Sequence, residues 1–124
     1  MAEVVLNGVE KVFESRGTRV TALAGVDLKV AHNEFVAIVG ASGCGKSTLL
    51  NLVAGFEHPS GGTLRVDGKP VVKPGPDRGV VFQQSALFPW LTVRQNIAFG
   101  LSLAANRART IRAPSIDQML KRVG

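Results

Sequence analysis

The spacing of hydrophobic positions changes along the chain, and each change marks an element. Glu3–Val9 and Val26–Val30 carry β-branched and apolar residues in partial alternation, which predicts two strands. Phe35-Val36-Ala37-Ile38-Val39 is the longest unbroken apolar run, the pattern of a strand covered on both faces. His32-Asn33-Glu34 reads as the tight turn before it, because Asn tolerates left-handed backbone. After Gly45 the period lengthens. Lys46–Ala54 predicts a helix with Leu49, Leu50 and Val53 on one face, stopped by Gly55. Pro59–Gly62 is a loop, and Thr63–Val66, Asp67-Gly68 and Val71-Val72 predict a hairpin. A second loop at Lys73–Asp77 leads to a short buried strand at Gly79–Phe82, then an irregular link over 84–91. Thr92 and Gln95 have capping-box spacing, which predicts a helix from about Val93 to Ala104. Ser115 and Gln118 repeat that spacing and open a further helix ending near Gly124.

The chemistry concentrates where the strand pattern gives way to the first helix. Gly40-Ala41-Ser42-Gly43-Cys44-Gly45-Lys46-Ser47 matches the phosphate-binding loop G-x-x-x-x-G-K-[ST]. Its glycines let the backbone curl so that consecutive N–H groups point inward, and the following helix aims its positive end at the same place. Lys46 adds a mobile charge for the β- and γ-phosphates. The Ser47 hydroxyl can ligate Mg²⁺, and Thr48 can reach the α-phosphate. At average residue usage, a chance match in this length is on the order of one in a few hundred. A buried strand before the loop and a helix after it are the context the mechanism demands. The alternative is a glycine turn with an incidental lysine. Cys44 falls where the loop side chain is free to vary. It reads as a small neutral filler, since no second thiol supports a redox role.

Composition narrows the class. The 124 residues are 45% hydrophobic and 19% charged, enough to bury a core and too apolar for a wholly disordered chain. No run approaches the roughly 20 apolar residues of a membrane span, and Met1-Ala2-Glu3-Val4 does not begin a secretory signal. One cysteine leaves no disulfide framework and no multi-Cys zinc site, so a cytosolic setting is expected. The net charge of +6 would suit a nucleic-acid binder, but it is unevenly placed. Residues 94–124 hold six of the 15 basic residues (Arg94, Arg107, Arg109, Arg112, Lys121, Arg122) against one acid, Asp117. That segment reads as a solvated helical face or a docking surface. No aromatic residue stands between Arg107 and Arg122 to stack bases, so nucleic acid is not an expected partner.

Gly40–Leu50, followed by Gly79-Val80-Val81-Phe82-Gln83, resembles the ATP-binding subunit of an ABC transporter, from about Val4 onward. Three features agree in order: the phosphate loop, Phe13 after Val9-Glu10-Lys11, and the Gln83 segment, which is similar to the family's Q-loop. Pro74–Gln83 and Leu87–Val93 are similar to the branch that imports nitrate, alkanesulfonates or taurine. The resemblance implies an α/β fold, a P-loop NTPase with an N-terminal antiparallel β subdomain. Residues 1–91 would form that subdomain and the phosphate-loop core, and residues 92–124 the start of a helical subdomain. It implies ATP and Mg²⁺ as cofactors. Gly40, Ser42, Gly43, Cys44, Gly45, Lys46, Ser47 and Thr48 would cradle the phosphates. Phe13 would stack on adenine, Ser47 and Gln83 would hold the metal, and Lys46 and Gln83 would serve catalysis. Gln84 has no assigned role. Alone, Phe13 reads as a half-buried strand residue; its place relative to the loop favours stacking. Phe88, Pro89 and Trp90 are either packing or part of a groove for a coupling helix, with Trp90 the better candidate for an exposed aromatic.

The implied partners are a transmembrane permease subunit, a second copy of the ATPase subunit and, indirectly, a solute-binding protein. The implied location is the inner face of the plasma membrane. Three parts of the family pattern are missing. Nothing after residue 82 is an apolar run followed by Asp-Glu, no Leu-Ser-Gly-Gly-Gln-like signature occurs, and the histidines, His32 and His58, lie in early turns. The chain therefore resembles the first half of an importer ATPase, truncated before the signature motif and the Walker B strand. The alternatives are a non-hydrolysing nucleotide-binding or regulatory protein, and a remnant of a decayed gene.

Overall fold

The computed structural model describes residues 2–84, 86–103 and 115–123. These divide into two compact units between Val80 and Val81. The first contains β1 (Val4–Ser15), β2 (Thr18–Val30), α1 (Lys46–Ala54), β3 (Gly61–Val66) and β4 (Lys69–Pro70). The second contains α2 (Val93–Ser102) and α3 (Ile116–Val123).

The strands form one antiparallel sheet in the order β2-β1-β3-β4. β1 and β2 run well past the predicted segments and meet at a two-residue turn, Arg16-Gly17, with φ of 48° and 81°. Positive φ at both turn residues matches the twist of the flanking strands. The longer strands escape the alternation pattern because their pairing slips. Leu6 faces Leu28, Val9 faces Val26 and Glu10 faces Ala24, with register shifts between these pairs. Gly8 (φ 54°) and Gly25 (φ 83°) occupy the slips, and the Gly8 N–H donates to Asp27 Oδ1 at 2.6 Å. Each extra residue moves the following side chains to the opposite face, so a period of two does not survive it.

The core is the inner face of this sheet closed by α1. Leu6, Val9, Leu23, Leu64, Val66 and Val71 pack with Leu49 and Leu52 of the helix. Leu52 is 1% exposed and Leu50 is 59% exposed, so the predicted face was rotated. Leu52 lies three residues after Leu49, one turn along the same stripe, whereas Leu50 is about 100° around the helix. The predicted turns are in place: Asn33 has φ 63°, and Asp67 and Gly68 have 49° and 74°. β4 comprises only Lys69–Pro70, after which the buried Val71 still donates to Leu64 O at 3.2 Å.

Two predicted strands do not form. Phe35–Val39 and Gly79–Phe82 are outside the sheet, with Phe35 93%, Val39 92% and Val81 99% exposed. An apolar run becomes a strand only where a neighbour supplies ladder partners and cover. Among the described residues no strand pairs with either run.

In the second unit both capping boxes are formed. Gln95 N–H donates to Thr92 Oγ1 at 3.3 Å while Gln95 Oε1 accepts from Thr92 N–H at 2.8 Å. Ser115 and Gln118 repeat the exchange at 3.2 and 3.0 Å. An exposed Arg94–Asp117 ion pair of 2.7 Å joins α2 to α3. α2 ends at Ser102, short of the predicted Ala104, because Leu103 has extended backbone with φ −67° and ψ 137°; the end at Gly124, and Arg107, Arg109 and Arg112, lie outside the described residues. Thr92→Ala removes the α2 cap and is expected to cost about 1 kcal/mol. Amide exchange over Val93–Ser102 should accelerate correspondingly, and Thr92→Ser should restore most of the protection.

Candidate functional site

The phosphate loop rests on the β1–β2 hairpin. Gly43 and Gly45 have φ of 79° and 93°, and Gly45 is the N-cap of α1. A Cβ at position 45 would stand 2.6 Å from Ala22 O and 2.9 Å from Leu23 Cδ2. Glycine is therefore required there twice over, by left-handed backbone and by the close approach of β2. At Gly40 the crowding comes from the loop itself, since a Cβ would meet Cys44 Sγ at 2.7 Å. Cys44 N–H donates to Ala41 O at 3.4 Å and closes the curl. No side chain caps α1 and no acid stands in its first turn, so its leading N–H groups face the loop without a competing carboxylate.

Lys46 completes this locus. Its Nζ donates to Gly40 O at 2.7 Å and Ala41 O at 2.6 Å and touches Cys44 Sγ at 3.4 Å. The ammonium is thus held against the loop's own backbone, which places a full positive charge beside the helix N-terminus. That combination suits an anion such as phosphate. Ser42, Cys44 and Ser47 are exposed and Thr48 is half-buried.

Phe13 lies on the same part of the hairpin. It pairs with Val20, and Lys11 pairs with Leu23, next to the Ala22 carbonyl that Gly45 approaches. Phe13 is 39% exposed. Lys11 Nζ lies over its ring, 4.9 Å from the centroid, and donates to Glu57 Oε2 and His58 O, both at 2.8 Å. Sequence reading missed Lys11. Its available signal is its place two residues before Phe13, on the same face of β1.

Gln83 and Gln84 belong to the second unit and are exposed. There, Phe88 packs against Phe99 with ring centroids 4.5 Å apart and against Trp90 at 5.5 Å. Trp90 is 76% exposed, as expected of it. Asn96 holds this loop: its Nδ2 donates to Phe88 O, Leu91 O and Thr92 O at 3.1–3.2 Å, and its Oδ1 accepts from Phe88 N–H at 2.8 Å. Nothing in the sequence pattern singled Asn96 out, because its partners are backbone groups. Among the described residues no helix is long and apolar enough to cross a membrane.

Comparison with known proteins identifies the relatives of this chain. The family profile described as ABC transporter matches residues 23–124. The taurine import ATP-binding protein TauB of Burkholderia thailandensis is 49% identical over 126 residues, covering 100% of this chain and 48% of that protein. The bicarbonate transport ATP-binding protein CmpC of Synechococcus elongatus is 52% identical over 99 residues, covering 79% of this chain and 15% of that protein. Among solved structures, the dimeric post-hydrolysis state of the ATP-binding cassette MJ0796 bound to ADP and Pi superposes with a TM-score of 0.71 at 31% identity. That match covers 96% of this chain and 53% of the cassette. The chain spans about half the length of TauB. It belongs to the ABC transporter family.

Proposed function

We propose that this chain is the nucleotide-binding half of an ATPase subunit that powers import of a small solute of the nitrate, sulfonate or taurine kind. The observation that carries the reading is the loop from Gly40 to Lys46. Its left-handed glycines, uncapped helix start and inward-held ammonium fit a polyphosphate. In this reading the loop amides cradle the phosphates, Lys46 exchanges its carbonyl partners for phosphate oxygens, and Thr48 reaches the α-phosphate. Phe13 stacks on the adenine. Ser47 and Gln83 hold Mg²⁺, and Gln83 also orients the attacking water in the complete enzyme. Magnesium, when bound, neutralises charge on the β- and γ-phosphates. Residues 1–91 form the β subdomain and loop core, and residues 92–124 begin a helical subdomain. Phe88, Pro89 and Trp90 face a transmembrane permease subunit at the inner side of the plasma membrane, and a second ATPase copy completes the assembly.

By itself the chain binds nucleotide and does not turn it over. No apolar run followed by Asp-Glu stands after residue 82, so no carboxylate is supplied from such a strand to place the attacking water. Calorimetric titration should give saturable binding of MgATP that tripolyphosphate displaces, with phosphate release at background. Failure of millimolar MgATP to bind would overturn the assignment. A steady-state rate lost in Lys46→Ala would overturn the inactive reading of the isolated chain.

A further inference from the structure

We propose that Lys11 is a positioning residue that sets the preference of this site for a base-bearing nucleotide over bare polyphosphate. The proposal rests on the reading of Phe13 as the adenine platform. An aromatic ring on a hairpin gains little by stacking if it must first be immobilised, because its lost rotamer freedom offsets the contact. Here the ring is already held. Lys11 Nζ lies over it at 4.9 Å, inside the roughly 6 Å range of a cation–π contact. The ammonium does not wander, since Glu57 Oε2 and His58 O accept from it at 2.8 Å each and its side chain is only 12% exposed. The backbone between the two residues is fixed as well, with Val12 N–H donating to Ser60 Oγ at 3.0 Å. One face of Phe13 is therefore taken by the cation, and the residue as a whole remains 39% exposed, which leaves it accessible to a base.

The same contacts set where the platform stands. Glu57 and His58 follow Gly55, the left-handed C-cap of α1, and α1 begins at Lys46 of the phosphate loop. Lys11 thus joins the aromatic ring to the far end of the helix whose near end forms the phosphate locus. Its own charge is matched by Glu57, so it adds little attraction for phosphate. A residue that acts only on the platform changes binding of ATP and leaves binding of tripolyphosphate alone. A residue that merely stabilises the fold weakens both.

The experiment measures dissociation constants of the 124-residue chain for ATP and for tripolyphosphate, each with magnesium. Lys11→Met should weaken ATP about three- to tenfold and leave tripolyphosphate within about twofold. Lys11→Arg should restore the wild-type ratio, and adding Lys11→Met to Phe13→Ala should cost nothing further. Lys11→Gln with Glu57→Gln, which leaves no unpaired carboxylate, should reproduce the effect and guards against a variant that fails to fold. Equal weakening of both ligands, or no change in either, overturns the proposal while Phe13→Ala still lowers the ratio. If Phe13→Ala leaves the ratio unchanged, the stacking reading fails, and the role of Lys11 falls with it.

Discussion

Lys46→Ala is expected to weaken binding of ATP and of tripolyphosphate alike by roughly a hundredfold. The ammonium is the one full positive charge bonded within the loop, 2.6–2.7 Å from the Gly40 and Ala41 carbonyls. Charge-assisted hydrogen bonds contribute about 1.5–3 kcal/mol each, and a hundredfold change corresponds to about 2.7 kcal/mol. Stability should change little, because the side chain is only half-buried and the carbonyls it releases remain open to water. Calorimetry of both ligands and a urea midpoint check the two halves of this statement. A loss under about fivefold for either ligand would show that the backbone amides alone hold the phosphates.

Gly45→Ala should act on fold and site together. At φ 93° an L-residue costs about 1–2 kcal/mol, and its methyl would come within 2.6 Å of the Ala22 carbonyl, a backbone atom with little freedom to retreat. A total destabilisation of about 2–3 kcal/mol is expected from urea unfolding. Phosphate binding should be lost even at temperatures where the variant is folded, since the loop must lift away from β2 to admit the methyl. Gly79→Ala is the matched control. A Cβ there meets nothing within 4 Å, so stability and binding should stay at wild-type values.

The parts of this molecule that sequence reading placed well are those decided by a few adjacent residues. α1 begins and ends where Gly45 and Gly55 put it, the capping boxes at Thr92 and Ser115 close as their spacing predicts, and Asn33 and Asp67-Gly68 turn the chain. The parts it missed depend on what lies across the fold. β1 and β2 appeared short because the bulges at Gly8 and Gly25 reset the alternation. The pattern places Leu50 on one face with Leu49 and Val53, whereas Leu52 is the buried residue, since in a helix so rich in leucine only the partners across the interface select the inner stripe. Phe35–Val39 and Gly79–Phe82 have the composition of central strands, yet composition supplies no ladder partner. At the candidate site, the loop from Gly40 to Ser47 stands out as a motif because its residues are contiguous. Lys11 and Asn96 do not, because each bonds groups distant in sequence or belonging to the backbone.

The two glycine caps of α1 have a consequence for how a ligand is measured. The helix has nine residues, so it is a stiff spacer of about 14 Å between the loop that leads into it and the Glu57–His58 corner that grips Lys11. In the proposed reading, this spacer and the seat of Gly45 against Ala22 together hold the base platform and the phosphate cradle at a fixed separation. A molecule carrying both moieties at that separation gains the effective-concentration advantage of a tethered pair, whereas adenosine and tripolyphosphate supplied as separate molecules forgo it. Selectivity for an intact nucleotide then depends in part on the length of a helix that need not touch the base.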